Sequence, residues 1–188
     1  MEEAIMMPKD GYTVDDLKNL PEGRQVELID GEIFDMAGAS PTHQICVVRL
    51  ISSIDQYING QKGTCQVFTA PVDVFLDSKI TGKHCYQPDV FVVCDKDKIK
   101  DDGIHGAPDW VIEILSPSTA MKDRYLKTYY YGLYGVKEYW IVDLKSKKVK
   151  VYQFPYDSEA DGISYSFDDI ISPSLYPDLK IKFSDLLP

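Results

Sequence analysis

The chain has 188 residues, enough for one domain with a substantial core and few for two domains of ordinary size. Hydrophobic residues make up 44% and charged residues 27%, a balance typical of globular rather than disordered proteins. The net charge of −10 argues against tight, non-specific binding to nucleic acid, which requires Lys and Arg to neutralise the phosphates.

Neither a membrane segment nor a secretory signal is visible in the sequence. No apolar run approaches the roughly 18–20 residues needed to cross a bilayer, and the N-terminus begins with acids instead of a basic region. The cysteines contain no CxxC pair, which favours reduced thiols; they are Cys46, Cys65, Cys85 and Cys94. We therefore expect a single cytoplasmic domain over residues 1–188, with its core at about 25–153.

The first elements in chain order are a short helix, a hairpin and a long helix. Thr13 can cap a short helix, and Asp30-Gly31 between two apolar runs predicts a β-hairpin. Ser40-Pro41 predicts a helix start, with Ser as N-cap and Pro at the first helical position. Apolar residues then recur at helical spacing until Asn59-Gly60 ends the helix.

Strand-like segments follow at 65–76, 88–94 and 109–115, rich in Val, Ile, Phe and Trp. After them comes a second helix, capped within Ser116–Thr119, whose expected core face is Leu126, Tyr129, Tyr130 and Leu133. Another strand at 138–143 leads into 148–154 as a hairpin. The strand–helix–strand passage at 109–143 predicts a parallel pair with a right-handed crossover.

The expected fold class is therefore α/β, or α+β, with a mixed central sheet flanked by helices and an N-terminal β-hairpin.

Two acids stand in apolar strands, Asp89 in QPDVFVV and Glu113 in DWVIEILS. Burying an ionised carboxylate is costly unless it has a charged partner, hydrogen bonds or a metal. Either acid alone is most simply a turn cap or a solvated residue. Two acids on neighbouring strands suit a hard divalent cation, which prefers oxygen ligands and can activate water beside a phosphate.

Lys127 lies on the following helix, four residues after Asp123. It could form a simple i,i+4 ion pair, worth a few tenths of a kcal/mol. Alternatively, its ammonium could lie beside the attacking water or the scissile phosphate. The sequence leaves both interpretations open.

Several motifs together resemble the Uma-type restriction endonuclease family of the PD-(D/E)XK nuclease superfamily. The motifs are VELIDGEIF, SPTHQ, QPDVFVV, VIEILSPST, DxxxK at 123–127 and GVKEYWIVD, spread over roughly residues 25–153. The resemblance implies a restriction-endonuclease-like core and a metal-dependent endonuclease that hydrolyses DNA with Mg²⁺ or Mn²⁺. It also implies that Asp89 and Glu113 are the metal acids.

The chain departs from the superfamily motif at one position. Leu115 stands two residues after Glu113, where the superfamily has a lysine, and the resemblance implies that Lys127 supplies it from the helix. Glu27 and His43 match the remaining polar positions of the family pattern. Glu27 could equally be an exposed hairpin residue, and His43 a histidine satisfied within the capping turn.

Three hypotheses remain from the sequence. The first is a DNA endonuclease, which could act as a two-fold dimer because many nucleases that cut both strands do so. The second is a catalytically degenerate nucleic-acid-binding or regulatory module on the same fold, favoured by the acidity and by Leu115. The third, an unrelated structural protein, leaves the strand acids unexplained.

Overall fold

The structure of the protein is a computed structural model that describes residues 10–21, 23–36, 38–77, 81–116, 120–155 and 162–187. Within these ranges the helices are α1 (Val14–Leu17), α2 (Pro41–Gly60), α3 (Thr128–Tyr134) and α4 (Phe183–Leu186), with a 3₁₀ turn at Lys96–Lys98 and a π-helical segment at Lys122–Lys127. None of these described helices combines the length and the hydropathy that a membrane span requires.

The described strands form two six-stranded mixed sheets. The first sheet has the order β2-β1-β5-β4-β8-β7, from β1 (Val26–Ile29), β2 (Glu32–Asp35), β4 (Val74–Phe75), β5 (Cys85–Tyr86), β7 (Ile99–Lys100) and β8 (Gly103–His105). The second sheet has the order β12-β11-β10-β9-β6-β3, from β3 (Gln66–Phe68), β6 (Val90–Val93), β9 (Trp110–Ile114), β10 (Glu138–Asp143), β11 (Lys148–Gln153) and β12 (Ile163–Ser166). The mixed fold class is confirmed.

The predicted N-terminal hairpin is confirmed as β1 and β2. Asp30 and Gly31 both adopt positive φ, 51° and 78°, which a two-residue turn between twisted strands requires and which Asn, Asp and Gly tolerate best. The hairpin joins the first sheet, where Leu28 pairs with Cys85. It therefore contributes Glu27 from a sheet other than the one that carries Glu113.

The prediction of one strand over 65–76 is wrong, because the segment divides between the two sheets. Phe68 pairs with Phe91 in the second sheet, whereas Val74 pairs with Tyr86 in the first. Pro71, which has no backbone N–H to donate to a ladder, lies in the intervening stretch. Apolar composition alone did not reveal this break.

The second sheet separates two hydrophobic cores by strict alternation of its side chains. Val90, Val92, Ile112 and Trp140 pack with α2 on one face, whereas Phe91, Val111, Tyr139 and Ile141 pack with Tyr131 on the other. The predicted parallel pair is confirmed, with β9 and β10 in register at Glu113 and Ile141. Glu113 thus belongs to the face that looks towards the first sheet.

The expectation that all four cysteines are reduced is wrong. Cys65 and Cys94 form a disulfide, whereas Cys46 and Cys85 are free and buried. In the antiparallel pairing of β3 with β6, Gln66 lies opposite Val93. The next position outward places Cys65 opposite Cys94. The pair was missed because 29 residues separate the two cysteines in sequence and only strand pairing brings them together.

The second helix is oriented differently from the prediction. We call residues 120–134 the site helix; it combines the π-helical segment with α3. Of its predicted cap at 116–119, residues 117–119 lie outside the described residues. Tyr129 and Leu133, expected in the core, are 62% and 59% exposed, and Leu126 is 40% exposed. The side chains that the site helix buries are instead Lys122, Asp123, Lys127, Thr128 and Tyr131.

Candidate functional site

Asp89 and Glu113 lie side by side because β6 and β9 are antiparallel. Val90 pairs with Ile112, so one step further along the ladder Asp89 stands opposite Glu113. The backbone N–H of Asp89 points to Glu113 Oε2 at 3.4 Å, and both side chains line one cleft. The two acids are therefore neighbours on the same face of the second sheet.

One oxygen of Asp89 is held by the protein. The Ile114 N–H donates to Asp89 Oδ2 at 2.8 Å, and His43 Nε2 lies 3.2 Å from the same oxygen. Among the described residues no hydrogen bond reaches the other oxygen, Oδ1. Asp89 thus has a fixed orientation and one carboxylate oxygen available to the cleft.

His43 enters the site from the first turn of α2, whose N-cap Ser40 accepts a hydrogen bond from the His43 N–H. Its Nε2 contacts Asp89 Oδ2 and also the Ile114 carbonyl oxygen at 3.0 Å. Both partners are acceptors, so Nε2 carries the hydrogen. Burial lowers the pKa of His43, but hydrogen bonding and charge attraction from Asp89 outweigh it, so the pKa is raised above its ordinary value.

Glu113 is 4% exposed in the central strand β9. Its Oε1 accepts hydrogen bonds from Lys127 Nζ at 2.7 Å and from the Tyr131 hydroxyl at 3.0 Å. Burial raises the pKa of Glu113 to about 8 because it outweighs the attraction of Lys127, and Asp123 and Asp89 raise it further. The charged form of Glu113 is therefore costly in this environment unless a cation lies beside it.

Lys127 bridges the two sheets. Its Nζ lies 2.7 Å from both Glu27 Oε1 and Glu113 Oε1, and 3.3 Å from Asp123 Oδ1. Burial lowers the pKa of Lys127, but the three carboxylates outweigh it and hold the pKa well above its ordinary value. The i,i+4 pair with Asp123 exists, but it is the longest of the three contacts.

Glu27 is buried at 1% exposure, so it is not the exposed hairpin residue that the sequence left open. Its Oε1 accepts from Lys127 and from the Gln87 N–H at 3.2 Å, and its Oε2 pairs with Lys122 Nζ. Burial alone would raise the pKa of Glu27, but Lys127 and Lys122 bring it below its ordinary value.

These side chains surround a cleft of about 260 Å³ between the two sheets, α2 and the site helix. It is lined by all five predicted residues, Glu27, His43, Asp89, Glu113 and Lys127, and also by Lys122 and Asp123. Within the part of the chain that the structure describes, no three His, Cys, Asp or Glu side chains are arranged to hold a metal ion. Two carboxylates are nevertheless sufficient for Mg²⁺, which usually retains several waters.

Three carboxylate oxygens of the cleft support the fit to such a cation. Asp89 Oδ1 and Glu113 Oε2 lack a short hydrogen bond among the described residues. Asp123 Oδ1 is buried without a hydrogen-bond partner there, although Lys127 Nζ lies within ion-pair distance. An unsatisfied buried carboxylate oxygen such as Asp123 Oδ1 is costly, so a bound cation or water beside it would stabilise this arrangement.

Sequence reasoning missed three residues of the site. Lys122 was not considered, Asp123 was considered only as a partner of Lys127, and Tyr131 was left out of the predicted core face. The π-helical i→i+5 repeat places Lys122, Asp123 and Lys127 together, and such segments are frequent at functional sites. The two lysines five residues apart were the available signal, but regular α-helical spacing does not align them.

Comparison with known proteins agrees with this architecture. A solved structure described as a putative nuclease belonging to DUF820, from Anabaena variabilis, superposes with a TM-score of 0.75 at 23% identity, covering 93% of this chain and 96% of that chain. An uncharacterized protein of Synechocystis sp., slr1290, is 28% identical over 147 residues, covering 76% of this chain and 73% of the relative.

The family comparison covers nearly the whole chain. Residues 14–184 match the family Uma2, described as "Putative restriction endonuclease". The match includes the hairpin, both sheets and every side chain of the cleft. The protein therefore belongs to the Uma2 family.

Proposed function

We propose that the protein is a metal-dependent endonuclease that hydrolyses DNA phosphodiester bonds in the cleft between its two sheets. Family membership supports a hydrolase that acts on nucleic acid. DNA as the substrate, Mg²⁺ or Mn²⁺ as the cofactor and the roles of individual residues belong to the proposal.

The observation that carries the proposal is the pairing of Asp89 with Glu113. Each carboxylate has one oxygen bound by protein donors and one oxygen without a short hydrogen bond among the described residues. Asp89 and Glu113 would hold the divalent cation through these second oxygens. When bound, Mg²⁺ or Mn²⁺ supplies a Lewis acid and an activated water for phosphodiester hydrolysis.

The other residues of the cleft would maintain this geometry and charge. His43 orients Asp89 through Nε2, and Lys127 compensates the charge of Glu113. Lys127 would thereby replace the lysine that the superfamily motif has at the position of Leu115. The cleft contains four carboxylates and two lysines, so it attracts a cation and repels phosphate until the cation is bound.

The test uses variants that preserve shape. Asp89→Asn and Glu113→Gln should each abolish Mg²⁺- or Mn²⁺-dependent cleavage of DNA and weaken metal binding measured by calorimetry. Asp143→Asn is the matched control, because Asp143 pairs with Arg124 outside the cleft. Cleavage by both cleft variants at the wild-type rate would exclude the assignment.

A catalytically degenerate nucleic-acid-binding or regulatory module is the second candidate. It is favoured by the lack of a three-ligand metal group among the described residues and by the engagement of Lys127 with three carboxylates. A wild-type protein that binds DNA but neither binds Mg²⁺ or Mn²⁺ nor cleaves would support this function and exclude the first.

We also propose that the protein acts as a homodimer through the outer face of the site helix. Four side chains spaced four residues apart form an exposed outer stripe: Met121, Tyr125, Tyr129 and Leu133, between 59% and 73% exposed. Such a stripe amounts to roughly 500–600 Å² of surface, similar to the largest patch on a typical monomer and often functional. Sedimentation should show a dimer that Tyr125→Glu dissociates and Ile163→Glu, at a similarly exposed position, does not.

A further inference from the structure

The buried acid Glu27 differs from the other acids of the cleft in having both oxygens occupied. Lys127 Nζ at 2.7 Å and the Gln87 N–H at 3.2 Å fill Oε1, and Lys122 Nζ fills Oε2. Asp89 and Glu113 each keep one oxygen without a short bond among the described residues. Glu27 is therefore poorly suited to bind a cation, although it lies in the same cleft.

Lys122 is the less expected partner. Its side chain is 8% exposed, its Nζ contacts Glu27, and the ammonium lies 5.5 Å from the centre of the Phe34 ring. A buried ammonium is costly unless it is paired, so this position is explained by Glu27. Glu27 in turn requires Lys122, since Oε2 would otherwise be buried without a partner among the described residues.

We infer that Lys122 and Glu27 are positioning residues, which together hold the Lys127 ammonium against Glu113. The lysine side chain has a flexible stem and could otherwise turn towards Asp123 alone, its i,i+4 neighbour. Glu27 approaches from the first sheet and Glu113 from the second, so the ammonium is fixed between them. Lys122 neutralises the remaining charge of Glu27. Without Lys122, that charge would draw the divalent cation away from Asp89 and Glu113.

This inference deepens the proposed function, and its main test does not require a metal. Lysine acylation followed by mass spectrometry measures how accessible each amine is in the folded protein. Glu27→Gln should raise the labelling rate of Lys127 about tenfold or more, because it removes a charged partner of the ammonium. Lys122→Met should raise the rate in the same direction, because it leaves one buried oxygen of Glu27 without a partner and so loosens the position of Glu27. Lys122→Arg should restore slow labelling, because it keeps the positive charge beside Glu27.

The matched control is Asp109→Asn, a carboxylate-to-amide change that releases Lys137 outside the cleft. It should leave Lys127 labelling unchanged, and thermal melting identifies any variant that has lost its fold. Unchanged Lys127 labelling in both folded variants, Glu27→Gln and Lys122→Met, would overturn the inference.

Calorimetry separates a positioning residue from a metal ligand. Glu27→Gln should keep the Mg²⁺ affinity within about threefold of wild type, whereas Asp89→Asn should lower it by about tenfold or more, as expected when a charged ligand is removed. An equal loss in both variants would make Glu27 a ligand and overturn the inference. If wild type binds no metal, the proposed function fails, and the labelling result alone decides the role of Glu27 and Lys122.

Discussion

The two long helices of the protein bury opposite kinds of residue. α2 buries Cys46, Val47, Leu50, Ile54 and Ile58 against the second sheet, as expected for an amphipathic helix. The site helix buries two lysines and an aspartate and exposes the outer stripe. Hydrophobic burial therefore orients α2, whereas the charges of the cleft orient the site helix.

Charge can orient the site helix because its partners are already buried acids. Glu27 and Glu113 belong to strands whose apolar neighbours bring them into the interior. Each of these carboxylates needs a cation, and Lys122 and Lys127 are within reach only if the helix turns its charged side inwards. The apolar side is then left on the surface.

The largest expected effect comes from removing the inward charge. Lys127→Met should reduce cleavage about 100-fold, as is typical for loss of one preorganised electrostatic group. It should also lower the free energy of unfolding by about 3–5 kcal/mol, because Glu113 and Asp123 lose the ammonium beside them and Glu27 loses one of its two. Kinetics and urea unfolding measure the two effects. Wild-type values for both would mean that hydrophobic burial, not charge, orients this helix.

A pair of leucines tests the comparison without changing charge. Leu50→Ala on α2 should cost about 2–5 kcal/mol of unfolding free energy, because Leu50 is fully buried in the core. Leu133→Ala on the site helix should cost less than about 0.5 kcal/mol in the monomer, because Leu133 lies on the surface. Similar losses in the two variants would contradict the assigned helix faces.

The pH dependence of stability distinguishes the charged cleft from the apolar core. The pKa of Glu113 is about 8 in the folded protein, compared with an ordinary value of 4.5 in the unfolded chain. Between these two pH values, the folded protein keeps a proton on Glu113 that the unfolded chain has released. Without divalent cations, stability should therefore fall as pH rises from about 5 to about 8. Glu113→Gln should remove this contribution in parallel urea titrations, and identical pH profiles would refute the assignment.

The smallest expected effect concerns the start of α2. Ser40→Ala removes the side-chain acceptor of the His43 N–H and should cost about 1 kcal/mol of unfolding free energy. The same change should loosen His43 and so weaken its contact with Asp89, which NMR titration of His43 can follow. Gln56→Ala on the exposed part of α2 is the control and should leave the His43 titration unchanged.

The elements whose signals are local could be predicted from the sequence. The Asp30-Gly31 turn, the Ser40-Pro41 helix start and the parallel passage from β9 to β10 are confirmed, because turn geometry, capping and strand–helix–strand order depend on nearby residues. Asp89 and Glu113 were noticed because a carboxylate among apolar strand residues is conspicuous; their roles stay predictions. Lys127 was noticed as the i+4 neighbour of Asp123, and the family resemblance contributed Glu27 and His43.

Contacts between distant segments could not be predicted in this way, because they form only when the chain folds. Two of these contacts join residues that are far apart in the chain: the Cys65–Cys94 disulfide and the pairing of Lys122 with Glu27. The division of 65–76 between the two sheets likewise depends on distant partner strands. The inward face of the site helix could not be read from periodicity, because hydrophobic patterning assumes that burial of apolar surface dominates. Here the pairing of buried charges across two sheets outweighs it, and such pairs exist only after the sheets have formed.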